Sequence, residues 1–494
     1  MEFETIIGLE VHAQLLTRSK MYCGCSADYA SAPPNTHVCP VCLGLPGALP
    51  VINREAIAGT IMTGLALNSS IPAFSEFDRK NYIYPDLMKG YQISQYDFPL
   101  CVAGRLDFEV EGRQVRVNIT RVHLEEDTAR LVHRNGQGES YSLVDVNRSG
   151  VPLMEIVSEP DLRSPEDARV YLMALRQILR YIGVSSGNME EGAFRVDANI
   201  SQWSVDGSIV GPKVEIKNMN RFRAVERALA YEVKRQREAL RSGVRLEQET
   251  RGWVEELGVT VSQRSKEYAH DYRYFPEPDL PPLLVSEAEV EAIHQQMPEL
   301  PGARRERFVL QYGLSPAEAA LLTEEQSIAN YFDATLQGGD TKGGENQEAE
   351  TKNLARRAAI WITGEIFALM RDRGLTIEQI NISPIQLRAL IDLVENKTIN
   401  MRTAKDVLIA VHETGKHPDV LVAERGLAQV SDTARLKEVI QTVLIENPAA
   451  VEDYRKGKKA AVGFLIGQVM RQMRGTANPS MARELLVEAL SPKD

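Results

Sequence analysis

The 494-residue sequence predicts an α+β chain, with strands first and helices after them. Three observations carry this. Up to residue 293, polar and apolar residues alternate through short segments broken by Gly, Pro and turn dipeptides such as Asn135-Gly136 and Asp206-Gly207, the pattern of half-buried strands. The stretch FPEPDLPPLL at 275–284 then closes this region in extended backbone, because each proline restrains the residue before it as well as itself. Beyond it, Ser-Pro and Asn-Pro pairs head segments whose apolar residues recur at helical spacing.

The first predicted strand, IIGLEVHAQL, sets Glu10, His12 and Gln14 on one face and Leu9, Val11, Ala13 and Leu15 on the other. Next come Cys23-x-Cys25 and Cys39-Pro-Val-Cys42, two pairs that can close a tetrahedral Zn2+ site; a disulfide pair or simple buried thiols are the alternatives. Cys101, left over, reads as a small core residue. RVHLEEDTARL repeats the first strand's pattern, with His123, Glu125 and Asp127 opposed to Val122 and Leu124. Ser164-Pro165-Glu166-Asp167 starts a helix that recurs through Tyr171, Leu172, Leu175, Ile178 and Leu179. In FRVDANIS, Arg195, Asp197 and Asn199 share a face, and VEIKN pairs Glu215 with Lys217. Any half-buried strand alternates, but these polar faces hold carboxylates, imidazole and amide, which are ligands for a divalent cation.

The helical region opens with the capping box Ser315-Pro316-Ala317-Glu318 and is interrupted by a Gly-rich polar loop expected over 337–352. NLARRAAIWITGEIFALMRDR, the helix begun by Ser383-Pro384, and MRTAKDVLIAVHETG are expected to pack as a bundle. A tail carries three further helices, at 431–446, at 458–474 and from Asn478-Pro479. Its basic residues gather in Arg455-Lys456-Gly457-Lys458-Lys459 and at Arg471 and Arg474, either a solvated helix end or a phosphate-contacting surface. Three domains are expected: 1–293, 294–414 and 415–494.

At 43% hydrophobic, 25% charged and a net charge of -11, the chain is not a protein whose main business is coating nucleic acid, though a local basic patch remains compatible with RNA. It starts without a basic, apolar leader and has no run of about 18 apolar residues, so no membrane is expected and the cytoplasm is the simplest address.

The strings IGLEVHAQL, FDRKNYIYPDLMKGYQISQYD, RVHLEEDTARL, SLVDVNRSGVPLMEIVSEPDL, NMEEGAFRVDANIS, VEIKNMN and RSKEYAHDYRYFPEPDLPPLL resemble the GatB family, whose members serve the aspartyl/glutamyl-tRNA amidotransferase. The tail, with ENPAAVEDYRKGKKAAVGFLIGQVMRQMRGTANP, is similar to that family's YqeY-like C-terminal domain, so the likeness runs from residue 4 to 490. It implies a heterotrimer with an amidase partner (GatA) and a small third chain (GatC), acting on misacylated tRNA. In it, the GatB chain would use ATP to phosphorylate the side-chain carboxyl of Glu-tRNA(Gln) and/or Asp-tRNA(Asn), and ammonia from the amidase would displace the phosphate.

On the family motif, Glu10, His12 and Glu125 match Mg2+ ligands, with Glu155 a further ligand and Glu191 a further catalytic candidate. Arg195, Asp197, Asn199, Glu215 and Lys217 are candidates for nucleotide and phosphate contacts, and no GxxxxGK[ST] loop offers an alternative. Arg455, Lys456, Lys458, Lys459 and Arg471 are the tRNA candidates. The Cys quartet occurs in only some members, so Zn2+ there is structural by implication. Arg221 departs from the family, which usually has serine after the second Asn of this segment. Two rivals are a non-catalytic RNA-binding scaffold, which leaves Glu10, His12 and Glu125 without a purpose, and a ligase acting on a small carboxylate without tRNA.

Overall fold

The strand Phe3–Gln14 lies inside an eight-stranded sheet in the computed structural model, which describes residues 2–135, 140–265, 272–337, 347–428, 433–456, 458, 460–473 and 479–490. Across this sheet the order is Val259–Ser265, Glu249–Val254, Val214–Lys217, Phe194–Ser204, Phe3–Gln14, Pro152–Ser158, Arg113–Glu126 and Cys101–Val110. All neighbours pair antiparallel except Val214–Lys217 with Glu249–Val254, which are parallel. The Gly136 half of the Asn135-Gly136 turn lies outside the described residues, while Gly207 of the second turn takes φ 72°.

Three helices, Arg54–Ala66, Pro165–Tyr181 and Phe222–Arg241, pack against the sheet. They share one apolar core with it, in which Leu9, Val11 and Ala13 meet Leu172, Leu175, Val225 and Leu229. Each fully buried Leu or Ile contributes roughly 1.5–3 kcal/mol, so this core fixes the sheet as a rigid plate. The Pro165–Tyr181 helix starts as its sequence implies: Ser164 Oγ accepts from the Asp167 N–H at 3.0 Å, with Pro165 in the first turn. Cys101 is fully buried beneath the Arg54–Ala66 helix, its Sγ donating to Thr60 O at 3.5 Å.

The proline-dense closing stretch supplies short strands rather than a free linker. Phe275–Pro276 pairs with Asp78–Asn81, which pairs with Tyr91–Ser94, and Leu283–Leu284 pairs with Phe74–Ser75. Arg79 clamps this small sheet through two 2.7 Å bonds to the buried Glu277. Lys89 to Glu126, and Gln92 Nε2 to Glu126 O at 2.8 Å, tie it to the large sheet.

The two compact units divide between Pro301 and Gly302. In the second, Ser315 with Glu318 and Ser383 with Gln386 form reciprocal capping boxes, as their spacing implies. The interruption expected over 337–352 is shorter than that. Residues 338–346 lie outside the described residues, and Gln347–Trp361 is already helical, with Lys352 bonded to Glu348 at 2.6 Å one turn away. His417-Pro418 and Asn447-Pro448 starts also add two short helices, Pro418–Glu424 and Pro448–Arg455, to the three expected in the tail. Thr433–Glu446, Ala461–Gln472 and Pro479–Leu490 share a core of Leu436, Ile440, Val443, Leu465, Val469 and Leu486. Among the described residues, no helix is long and apolar enough to cross a membrane.

Arg221 has the extended backbone of an N-cap, φ −150° and ψ 148°, but a guanidinium has no acceptor to offer, so the Phe222–Arg241 helix starts without a side-chain cap. Its NH2 pairs instead with the exposed Glu190, at 3.2 Å. Arg221→Ser should therefore stabilise the first unit by about 0.5–1 kcal/mol, read as a higher denaturant midpoint at unchanged slope. An unchanged or lower midpoint would show that the pair with Glu190 is worth as much as the missing cap.

Candidate functional site

Strand register delivers a row of polar side chains to the sheet face opposite the helices. His12 stands across from Arg195 on one neighbour and Glu155 on the other, and Glu155 in turn faces His123. Two residues along, Glu10 stands across from Asp197, and Asn199 across from Glu215. Because side chains alternate along a strand, these residues share one face although they come from five separate segments.

At the centre His12 Nε2 lies 3.2 Å from Glu155 Oε2 and 3.4 Å from Glu125 Oε1, and His123 Nε2 lies 3.5 Å from Glu155 Oε2. Ligand atoms of His12, Glu125 and Glu155 all fall within 4.8 Å of one another. Glu125 is 1% exposed, and among the described residues neither of its carboxylate oxygens has a well-aligned hydrogen-bond donor. A buried carboxylate without donors is costly unless a cation satisfies it. The mixed imidazole and carboxylate donor set of His12, Glu125 and Glu155 could therefore hold a divalent cation.

The electrostatics agree. Burial opposes a charge on His12, yet Glu155 and Glu125 outweigh it and push the imidazole up to about 10. Burial likewise opposes the charge of Glu155, but His12 and His123 hold it well below the usual carboxylate range. Burial and then Glu155 raise Glu10, whose Oε1 accepts from Asn199 Nδ2 at 2.8 Å, and burial lowers His123. A metal ion here would have to displace the His12 proton.

A cavity of about 1060 Å³ opens above the row. His12 and Glu125 lie on its wall beside Arg195, Asp197 and Lys217. Lys217 bonds to Asp197 and lies 3.3 Å from Glu215, which also accepts from Thr250 Oγ1 at 2.8 Å. Glu191 is in an exposed turn on the same wall, outside the metal-capable group, while Glu10, Asn199 and Glu215 lie on the sheet face beyond the lining. Two further wall residues give no signal in the sequence. Lys80, from the small sheet, puts its Nζ 3.8 Å from Glu125 Oε2 and over the Tyr272 ring. Arg148 donates to the Thr128 and Ala129 carbonyls at 2.9 and 3.0 Å. Only long-range pairing brings either one to the site.

Cys23, Cys25, Cys39 and Cys42 are free thiols whose sulfurs cluster within 4.8 Å of one another, an arrangement that can hold a metal ion. Cys39 and Cys42 are 3.8 Å apart, and Cys42 Sγ accepts from the Cys39 N–H at 3.1 Å. The Cys23 thiol beside it pulls Cys42 down to about 4, the thiolate form that a metal ion takes. In the tail, Lys456 and Lys458 are engaged with Glu452 (2.8 Å) and Asp453 (3.0 Å). Arg455 and Arg471 are exposed, and Lys459 and Arg474 lie outside the described residues.

Residues 5–291 match the family described as the GatB/GatE catalytic domain, and residues 345–490 match the GatB domain. The chain is 67% identical over 490 residues to the GatB chain of the aspartyl/glutamyl-tRNA(Asn/Gln) amidotransferase of Thermomicrobium roseum, covering 99% of each chain. It is 53% identical over 492 residues to the chain of the same name in Dehalococcoides mccartyi strain CBDB1, and 50% identical over 493 residues to that of a Roseiflexus species, again over 99% of each chain.

In the folded chain stripped of metal by a chelator, a thiol reagent should modify the clustered cysteines first. Cys101, whose thiol burial pushes up, should react only after denaturation. Cys101 reacting alongside the cluster would contradict its place in the core.

Proposed function

The chain belongs to the GatB family of amidotransferase components, and from that membership we propose that it activates the side-chain carboxyl of Glu-tRNA(Gln) and/or Asp-tRNA(Asn) with ATP, for amidation by ammonia. The overall reaction is that of a carbon–nitrogen ligase with glutamine as amido donor. One observation carries the assignment of its site: the His12, Glu125 and Glu155 cluster, with the buried Glu125 carboxylate lacking an aligned donor, which puts His12 and Glu125 on the wall of a cavity that also holds Arg195, Lys217 and Lys80.

A carboxylate is a poor acyl donor to ammonia, so it must first become an acyl phosphate. A side-chain carboxylate oxygen attacks the γ-phosphorus of ATP and the bond to the ADP oxygen breaks. Ammonia then attacks the acyl carbon, phosphate leaves with its bonding electrons, and the nitrogen loses a proton to give the amide. Phosphoryl transfer asks the protein for positioning and charge rather than covalent chemistry. Mg2+ held by His12, Glu125 and Glu155, with Glu10 beside them, would neutralise phosphate charge. Arg195 and Lys217 are suited to grip phosphate oxygens, with Asp197 and Glu215 fixing Lys217 and Asn199 fixing Glu10 behind them. Lys80 adds a cation beside Glu125; burial opposes its charge, but Glu125 keeps it protonated well above neutral pH. Glu191 on the cavity wall is a candidate for contact with the aminoacyl end.

Ammonia would come from an amidase partner (GatA), with a small third chain (GatC) completing a heterotrimer in the cytoplasm. Zn2+ in the cysteine cluster would be structural. We assign 1–293 to the catalytic cradle, 294–414 to a helical domain and 415–494 to a tail that grips tRNA, the last supported by the separate apolar cluster of Leu436 to Leu490. Within that tail Arg455 and Arg471 are better placed for phosphate than Lys456 and Lys458, whose charges meet neighbouring carboxylates.

Two measurements test this. With the partner chains present, ADP release should require misacylated tRNA and fall at least roughly a hundredfold in Glu125→Gln while tRNA affinity is kept, because the substitution removes the charge that binds the cation. Equal activity in the variant would return the scaffold reading, and tRNA-independent turnover the small-carboxylate one. Metal analysis of the purified chain should find zinc, lost in Cys42→Ser with a drop in melting temperature. Zinc-free wild type of undiminished stability would sink the structural role.

A further inference from the structure

The loop that carries the cysteine cluster is wired through polar contacts to one of the cavity's arginines, Arg195. Tyr29, between Cys25 and Cys39, donates its hydroxyl to Gln14 Oε1 at 3.1 Å. Gln14, 9% exposed, passes the contact on, its Nε2 donating to Asp127 Oδ2 at 2.7 Å. Asp127, 2% exposed, takes Arg195 NH2 on its other oxygen at 3.0 Å. Arg195 is on the cavity wall, and its buried Nε has no acceptor among the described residues.

A second arm reaches the same carboxylate. The loop's His37 N–H donates to Asn147 Oδ1 at 2.8 Å, and Asn147 Nδ2 donates back to Pro33 O at 2.7 Å. The next residue, Arg148, lies 3.7 Å from Asp127 Oδ1. Asp127 is thus the point where two arms of the cysteine loop and two of the cavity's arginines, Arg148 and Arg195, converge. Burial opposes its charge, but Arg195 and Arg148 keep it ionised.

We infer that Tyr29, Gln14 and Asp127 are positioning residues that hold the Arg195 guanidinium toward a bound phosphate, so that the cysteine loop, through Tyr29, sets the cavity's affinity for nucleotide. The inference rests on the reading of this cavity as an ATP site. An arginine free to sample several rotamers must be immobilised when it binds an anion, at a cost the relay removes beforehand. Tyr29 itself lines the cavity, but in this scheme its hydroxyl acts through Gln14 rather than on the nucleotide, and the double variant separates the two. A merely structural role for the loop would instead show in stability and in metal retention.

The test is equilibrium binding of ATP with Mg2+ to the full chain, for wild type, Tyr29→Phe, Arg195→Ala and the double variant, alongside melting temperature and the metal held by the cysteines. Tyr29→Phe should weaken ATP binding about threefold to tenfold. Melting temperature and metal content should stay at wild-type values, and in the assembled enzyme KM for ATP should rise while kcat holds. In the Arg195→Ala background the same change should have no further effect, because there is no guanidinium left to hold. If Tyr29→Phe binds ATP as wild type does, or if the two losses multiply, the relay is wrong while the ATP site stands. If wild type binds no ATP, the reading of the cavity falls and the relay with it.

Discussion

Glu125 and Glu155 crowd against His12 on a buried sheet face, and much of the first unit serves to keep that negative charge in place. Carboxylates this close in a low-dielectric setting repel one another and favour neutral forms; Glu10 is raised first by its burial and then by Glu155. Without a metal ion, the charge is kept by cations brought from elsewhere in the chain: the His12 imidazolium, on the strand beside that of Glu155, and Lys80 from the small sheet. The site could not be assembled on a mobile loop, because loss of any one of these contacts would release the repulsion.

Rigidity behind the site follows from the same need. The helices Arg54–Ala66, Pro165–Tyr181 and Phe222–Arg241 bury the apolar faces of the strands, so the polar faces are left together on the other side. The small sheet, held by Arg79 to Glu277 and by Lys89 to Glu126, carries Lys80 to the rim. The cysteine loop carries Tyr29 there in the same way. Chemistry that depends on positioned charge rather than on a nucleophile is well matched by such a frame.

How far the sequence can be read depends on the range of the interaction. Glu10, His12 and Asn199 stand out because alternation is a local property of one strand. Glu155 does so less, since PLMEIVS is buried on both faces and shows almost no alternation. Lys80 lies in a strand of four residues and Arg148 in a single turn of 3₁₀-helix, too short for any period to declare itself. Helices with a Ser-Pro start are legible, whereas Phe222–Arg241 opens on an arginine that cannot cap and gives no signal. The polar stretch before Asn353 resembles a loop for its glycines, but these end at Gly344, and the glutamates after them suit a helix's first turns.

What the sequence determined alone is whatever one segment enforces upon itself: which face of each strand is polar, where four cysteines can share an ion, where a helix begins. What only the tertiary structure decided is which polar faces meet. Strand order and register placed His12 between Glu155 and Arg195, and pairing of distant segments brought Lys80 and Tyr29 to the same cavity. The physical reason is that a period constrains a side chain's direction but not its neighbour. The neighbour is chosen by backbone pairing and by burial of the opposite, apolar face, summed over the whole sheet.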